Sequence, residues 1–335
     1  MTDYSAPSWL PGGHLQTIWP ALWSRRFEVT APHWRRERWD TPDGDFVDVD
    51  FCELQASQAT DARPSSRPLL VLFHGLEGSS SSHYSQAFAD WGLQNGCDIA
   101  VPHFRGCSGT LNWKPRAYHS GDHEEVDHLL RKFKQRVETH SGAGLIAAGV
   151  SLGGNALMRW AGEQGQSAQQ VVKAIATICS PLDLMASGKA IGEGFNRQVY
   201  TRMFLRSMKP KAMAKLKQFP GLFDANRLMA AKDLYEFDDV FTAPLHGFQN
   251  TDDYWLRASA LPHMGHIAVP ALALNAQNDP FIPSSSLPTS AKVSAYVTLW
   301  QPADGGHVGF ASGALPGHLK VMPQAVGQWL LQHIP

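Results

Sequence analysis

The chain has 335 residues and a formal net charge of −1, with 29 Lys plus Arg against 30 Asp plus Glu. Hydrophobic residues make up 43% and charged residues 18%, a balance that excludes a disordered chain and suffices to bury a large core. Near-neutrality removes any general pull toward nucleic acid or an anionic membrane, so neither is expected as the main partner.

The N-terminal segment is acidic rather than basic, and Pro11, Gly12 and Gly13 break it before an apolar run can form. No signal peptide is expected, and the default is a soluble, cytoplasmic protein. Trp9, Trp19 and Trp23 leave a peripheral membrane contact open, without stable insertion. The doublets Arg25-Arg26 and Arg35-Arg36 are too short for a nucleic-acid or lipid patch and read as solvated faces. Thr41-Pro-Asp-Gly-Asp45 is a turn signal, and the alternation in Val47-Asp-Val-Asp-Phe51 reads as a half-buried strand, so residues 34–54 read as an antiparallel hairpin. Residues 57–67, rich in Ala, Ser and Pro, read as a surface connection.

From residue 69 the texture changes. Apolar runs at 69–73, 98–101, 145–149, 174–178, 270–274 and 294–300 mostly have the length and continuity of strands buried on both faces. None approaches the ~18 residues that a membrane-spanning helix needs. Amphipathic stretches separate them: over 122–140, Val126, Leu129, Leu130, Phe133 and Val137 recur at helical spacing. This alternation predicts an α/β fold, a mostly parallel central sheet with helices on both faces, in a single domain over 1–335. Residues 183–266 break the pattern with Met and aromatic residues, a Lys-rich helical stretch over 208–219 and no clear buried strand. They read as a helical cap insertion over the carboxyl ends of the strands, where open sheets bind ligands. Cys52, Cys97, Cys107 and Cys179 form no C-x-x-C pair and read as buried free thiols.

Gly149-Val150-Ser151-Leu152-Gly153 matches G-x-S-x-G. Alone, such a match arises by chance in roughly one chain in ten of this length. Here it follows a predicted strand and precedes a predicted helix over 155–163, the context of a nucleophile elbow. A glycine-lined structural turn would look alike locally, so the other parts decide. After the first buried strand, His74-Gly75-Leu76-Glu77-Gly78 can offer the Leu76 N–H as one oxyanion-hole donor, with the Leu152 N–H as the other. A serine hydroxyl also needs a base and an orienting carboxylate. Asp279 in Asn278-Asp279-Pro280 follows the strand at 270–274, and His307 in Gly305-Gly306-His307-Val308-Gly309 follows the next. Chain order Ser, Asp, His is that of the hydrolase triad.

Other clusters carry less. His119 with His123, and His263 with His266, lack the third ligand of a zinc motif, so no metal is expected. Gly106, Ser108 and Gly109 match neither G-x-G-x-x-G nor a Walker pattern, so no nucleotide cofactor is expected, and Arg105 reads as structural or cleft-lining.

These motifs resemble the YheT-like α/β-hydrolases, with their eukaryotic α/β-hydrolase-domain relatives and the yeast medium-chain esterase/acyltransferases. The resemblance spans nearly the whole chain. It includes Gly13-His14-Leu15-Gln16-Thr17-Ile18, His74 to Gly78, Phe104-Arg105-Gly106-Cys107-Ser108-Gly109, Tyr118-His119-Ser120-Gly121, the elbow, Asp253-Tyr254, Ala258-Ser259, Asn278 to Phe281 and Gly306 to Gly309. Of these, His14 to Ile18 is the most family-specific. The resemblance implies carboxylic-ester hydrolysis, with acyl transfer to alcohols in some relatives; short- to medium-chain acyl esters are the expected substrates. Thioester cleavage is an alternative use of the same acyl-enzyme, and a non-catalytic lipid-binding or scaffold protein is the alternative outside enzymes. Dehalogenase and epoxide-hydrolase chemistry is disfavoured, because those enzymes use a carboxylate where this chain has Ser151.

Overall fold

The computed structural model describes residues 4–28, 30–53, 67–140 and 142–335. All but the last residue of the connection at 57–67 lies outside them. Strands β1 (Arg35–Asp40), β2 (Phe46–Cys52), β3 (Leu69–Phe73), β4 (Asp98–Pro102), β5 (Leu145–Val150), β6 (Ile175–Ile178), β7 (Ala271–Leu274) and β8 (Val297–Trp300) form one sheet. Their order is β1-β2-β4-β3-β5-β6-β7-β8. Only the β1–β2 and β2–β4 pairings are antiparallel; the rest are parallel.

Successive side chains of the buried strands feed two cores, one on each face of the sheet. Leu69, Val71, Phe73 and Ala147 pack with helices α3 (His123–Thr139) and α4 (Leu152–Gln164), whereas Leu70, Leu72, Ile146 and Ala148 pack with α2 (His83–Asn95) and α12 (Val321–Leu331). This two-sided covering is why the strands read as unbroken apolar runs. Helix α3 starts one residue after the expected boundary. The Asp122 side chain caps it by accepting from the Glu125 N–H, and Arg136 sits in its last turn, each complementing the helix dipole.

Two expectations change. Strand β2 is buried along its whole length, not on one face. Its aspartates lie directly opposite arginines of β1: Arg36 pairs with Asp50 (2.6 Å) and Arg38 with Asp48 (2.7 Å). The carboxylates are thus neutralised across the strand, which makes their burial tolerable. Strand β8 is shorter than expected and only half-buried, because it is an edge with a single neighbour.

Between β6 and β7 the chain makes only helical elements. These include α5 (Leu184–Ile191), α6 (Gly194–Asn196), α7 (Arg202–Gln218), α8 (Ala225–Ala230), α9 (Leu234–Phe237), α10 (Ala243–Leu245) and α11 (Thr251–Ala258). Helix α7 begins six residues before the expected Lys-rich stretch, and single π-turns at Arg197–Thr201 and Asp238–Thr242 interrupt the series. The N-terminal segment, for which the sequence predicts no element, forms helix α1 (Gly12–Leu22). Among the described residues, no helix is long and apolar enough to cross a membrane.

Candidate active site

Strand β5 delivers Ser151 to the start of α4 through a turn that needs glycine on both sides. A Cβ on Gly149 would lie 2.5 Å from the Gly154 Cα, and one on Gly153 would lie 2.5 Å from the His74 carbonyl oxygen. Ser151 itself adopts φ 52°, ψ −120°, a conformation costly for a side-chain-bearing residue. It is held there by its N–H donating to the Ile178 carbonyl (2.8 Å) and its carbonyl accepting from Gly154 and Asn155. The strain aims the hydroxyl out of the sheet's carboxyl edge rather than into helix α4.

His307 and Asp279 reach the same point from the loops after β8 and β7. His307 Nδ1 donates to Asp279 Oδ2 at 2.8 Å, which leaves Nε2 to accept from the Ser151 hydroxyl at 3.0 Å. The Asp279 carboxylate is wholly buried, and its other oxygen accepts from the Phe281 N–H at 2.8 Å. The Phe281 ring lies 4.2 Å from the imidazole, centroid to centroid, and shields this pair. The three residues singled out by chain order therefore meet in one hydrogen-bonded line.

The His74 to Gly78 turn lies against the serine, since a Cβ on Gly75 would come within 3.2 Å of the Ser151 Cβ. Within the turn, Gly75 N–H donates to Tyr84, Glu77 N–H to Tyr118 and Gly78 N–H back to the Gly75 carbonyl. Leu76 N–H has no acceptor among the described residues, and Leu152 N–H is the first of its helix, with no intrahelical partner. Both are available to an oxyanion. His74 braces the turn: Nδ1 donates to the Gly75 carbonyl and Nε2 accepts from the Phe104 N–H, and burial pushes its pKa down to about 3. Glu77, at φ 58°, ties the turn to α7 through Lys211 at 2.9 Å.

A cavity of about 170 Å³ opens onto Ser151, His307, Leu76 and Leu152. Its upper wall comes from the helical insertion, through Ile191, Phe204, Met208, Phe237 and Trp255. Arg105 also lines it, but its guanidinium is committed to Asp43, Asp45 and Glu125. Asp238 is the one carboxyl among the apolar groups of the insertion's wall; burial raises its pKa to about 6, and the Trp255 indole N–H donates to it.

The metal-binding types that come together among the described residues are Cys179, Asp279 and His307, with ligand atoms within 4.8 Å of one another. Burial pushes the Cys179 thiol well up, keeping it protonated, while Asp279 and His307 already bond to each other. That donor set is poorly suited to a cation. The histidine pairs His119/His123 and His263/His266 do not join such a group.

Sequence reasoning passed over Gln16 and Thr17 of α1. Gln16 Oε1 accepts from the Gly305 N–H and the Asn278 amide, each at 2.8 Å, and Thr17 Oγ1 accepts from the His307 N–H at 2.9 Å. The only signal was their place in the family-specific stretch.

The model of the alpha/beta hydrolase fold family matches residues 68–314. The chain belongs to that family. Within it, the hydrolase groups with the YheT-like branch: it is 36% identical to YheT of Escherichia coli over 96% of this chain and 91% of that protein. It is 28% identical to phospholipase ABHD3 of Mus musculus, covering 94% of this chain and 78% of that one. It is 29% identical to medium-chain fatty acid ethyl ester synthase/esterase 2 of Saccharomyces cerevisiae, covering 68% and 55%. The Pyrococcus furiosus esterase Pf2001 superposes with a TM-score of 0.55 over 94% of this chain and 100% of its own, and at 13% identity shows the shared fold.

Proposed function

We propose that this hydrolase cleaves carboxylic esters of short- to medium-chain acids through a Ser151 acyl-enzyme. The observation that carries the reading is the continuous hydrogen-bonded line from Ser151 Oγ through His307 to the buried Asp279, at 3.0 and 2.8 Å. His307 takes the Ser151 proton as Oγ attacks the ester carbonyl, and Asp279 stabilises the imidazolium that results. The Leu76 and Leu152 amides receive the oxyanion, His307 returns the proton to the leaving alcohol, and water then releases the acid by the reverse roles. Residues 183–266 act as the cap, and their apolar wall suits an acyl chain. The relatives' names agree on ester chemistry: YheT carries an esterase name, ABHD3 a phospholipase name and the yeast protein an ester synthase/esterase name.

Ser151→Ala should abolish hydrolysis of p-nitrophenyl butyrate and octanoate and remove labelling by a fluorophosphonate probe, with the fold intact. Undiminished turnover in that variant defeats the proposal. The yeast relative's name covers synthesis as well as hydrolysis. Ethyl ester formed in the presence of ethanol would therefore assign acyl transfer to the same intermediate.

A further inference from the structure

We propose that Gln16 and Thr17 of α1 are positioning residues for the acid and the base of this site, an inference that rests on the serine-hydrolase reading above. Asp279 and His307 stand on two separate loops, which already meet through the Gln277 N–H donating to the Pro302 carbonyl (2.8 Å) and Asn278 Nδ2 donating to Asp304 (3.1 Å). The Gln16 side chain, from a third element, holds both loops at once. It is 2% exposed, and its Oε1 accepts at once from Gly305, two residues before His307, and from Asn278, the residue before Asp279. Asn278 closes the link by accepting from the Gly306 N–H at 2.9 Å.

Gln16 is itself held fast. Its Nε2 donates to the Leu10 carbonyl (3.0 Å) and to Asp304 (3.2 Å), so the amide cannot rotate without losing both partners and its own acceptor role. Thr17 acts one step closer to the imidazole. Its Oγ1 accepts from the backbone N–H of His307 and donates to the Gly13 carbonyl at 2.7 Å, which fixes the hydroxyl's orientation.

The backbones approach as closely as glycine allows. A Cβ on Gly309 would come within 1.8 Å of the Gln16 carbonyl oxygen, and one on Gly13 within 1.9 Å of the Asn278 carbonyl oxygen. Helix α1 therefore seats directly on both loops. It lies outside residues 68–314, the span matched by the general fold family. The site thus takes part of its alignment from a segment outside the span that the family model matches. Neither residue touches the reacting atoms; both act through His307 and Asp279, where displacement of about 1 Å is enough to cost 100-fold in rate.

The test compares Thr17→Val, which keeps the shape and loses the hydroxyl, with Thr17→Ser, which keeps the hydroxyl, alongside Gln16→Leu. Steady-state ester hydrolysis, the rate of fluorophosphonate labelling and thermal melting are measured on each purified full chain. Thr17→Val and Gln16→Leu are expected to lower kcat about 10- to 100-fold with KM within about twofold, and to slow labelling in parallel. Thr17→Ser should restore kcat to within about threefold of the parent. Lowered melting temperature with unchanged kcat per folded molecule overturns the proposal, as does an equal loss of kcat in Thr17→Ser and Thr17→Val. If Gln16→Leu fails to fold, the threonine pair decides alone. Ser151→Ala separates the two readings: if it stays active, the serine-hydrolase reading falls and this proposal with it. If Ser151→Ala is inactive while Thr17→Val keeps the parent rates, this proposal alone falls.

Discussion

His307 Nδ1 and Asp279 Oδ2 share a 2.8 Å hydrogen bond in which the carboxylate is fully removed from solvent. That bond decides which imidazole nitrogen carries the proton, and so leaves Nε2 free for Ser151. Asp279→Asn keeps the shape but presents an amide that can donate to the ring and favour the wrong tautomer. We expect kcat for p-nitrophenyl ester hydrolysis to fall about 10³- to 10⁴-fold with little change in fold. A loss below tenfold would mean that this contact does not set the rate.

Arg105 is the hub beneath the cavity. Its side chain is 3% exposed and pairs with Asp43, with the wholly buried Asp45 and with the nearly buried Glu125. Arg105→Met fills the space but takes the cation away from the buried Glu125, whereas Asp45 keeps the Asn112 amide and the Phe46, Trp113 and Lys114 N–H groups. Removing one partner of a buried ionic cluster costs about 3–5 kcal/mol, so urea unfolding of the variant should show a loss of that size. A loss under 1 kcal/mol would show that water or a rearranged side chain replaces the guanidinium.

Local rules carried much of the fold and of the candidate site. The unbroken apolar runs of β3 and β5 are legible because a strand covered on both faces has no polar side, and Ser151, Asp279 and His307 each sit in a short strand-end motif. What was not legible depends on distant partners. Gln16 meets Gly305 across 289 positions, a separation that leaves no periodic trace in sequence. Asp48 and Asp50 looked solvent-facing by alternation, because the arginines that cover them belong to a neighbouring strand.

The turn around Ser151 should tolerate no methyl group. Gly153→Ala would press a Cβ within 2.5 Å of the His74 carbonyl oxygen and 2.6 Å of that of Phe73, the backbone that leads into the Leu76 turn. Overpacking of this kind costs about 1–3 kcal/mol, and the displaced turn should lower kcat as well. Gly265→Ala is the control: a Cβ there meets nothing within 4 Å, so its melting curve should stay within about 0.5 kcal/mol of the parent. Equal effects at the two positions would contradict the packing argument.

Acid should weaken the fold partly through His74. Buried at 0% exposure, it donates through Nδ1 to the Gly75 carbonyl and accepts through Nε2 from the Phe104 N–H, a pattern only the neutral ring can satisfy. Its folded pKa is pushed down to about 3, so between that value and the ordinary 6.5 the unfolded chain holds a proton that the native chain refuses. Stability from this group is complete above pH 6.5 and drains as pH falls toward 3, by up to about 1.4 kcal/mol per pH unit. Glu125, raised to about 7, and Asp238, raised to about 6, oppose it, since native protein takes up their protons first as pH drops. The parent's curve is thus a balance, and the histidine's share is isolated by His74→Asn, which keeps a donor and an acceptor but cannot take the proton. Melting temperatures at pH 7.5, 6 and 5 should show the variant less stable than the parent at neutral pH, with the gap narrowing steadily in acid. Parallel curves would mean that His74 does not titrate on unfolding.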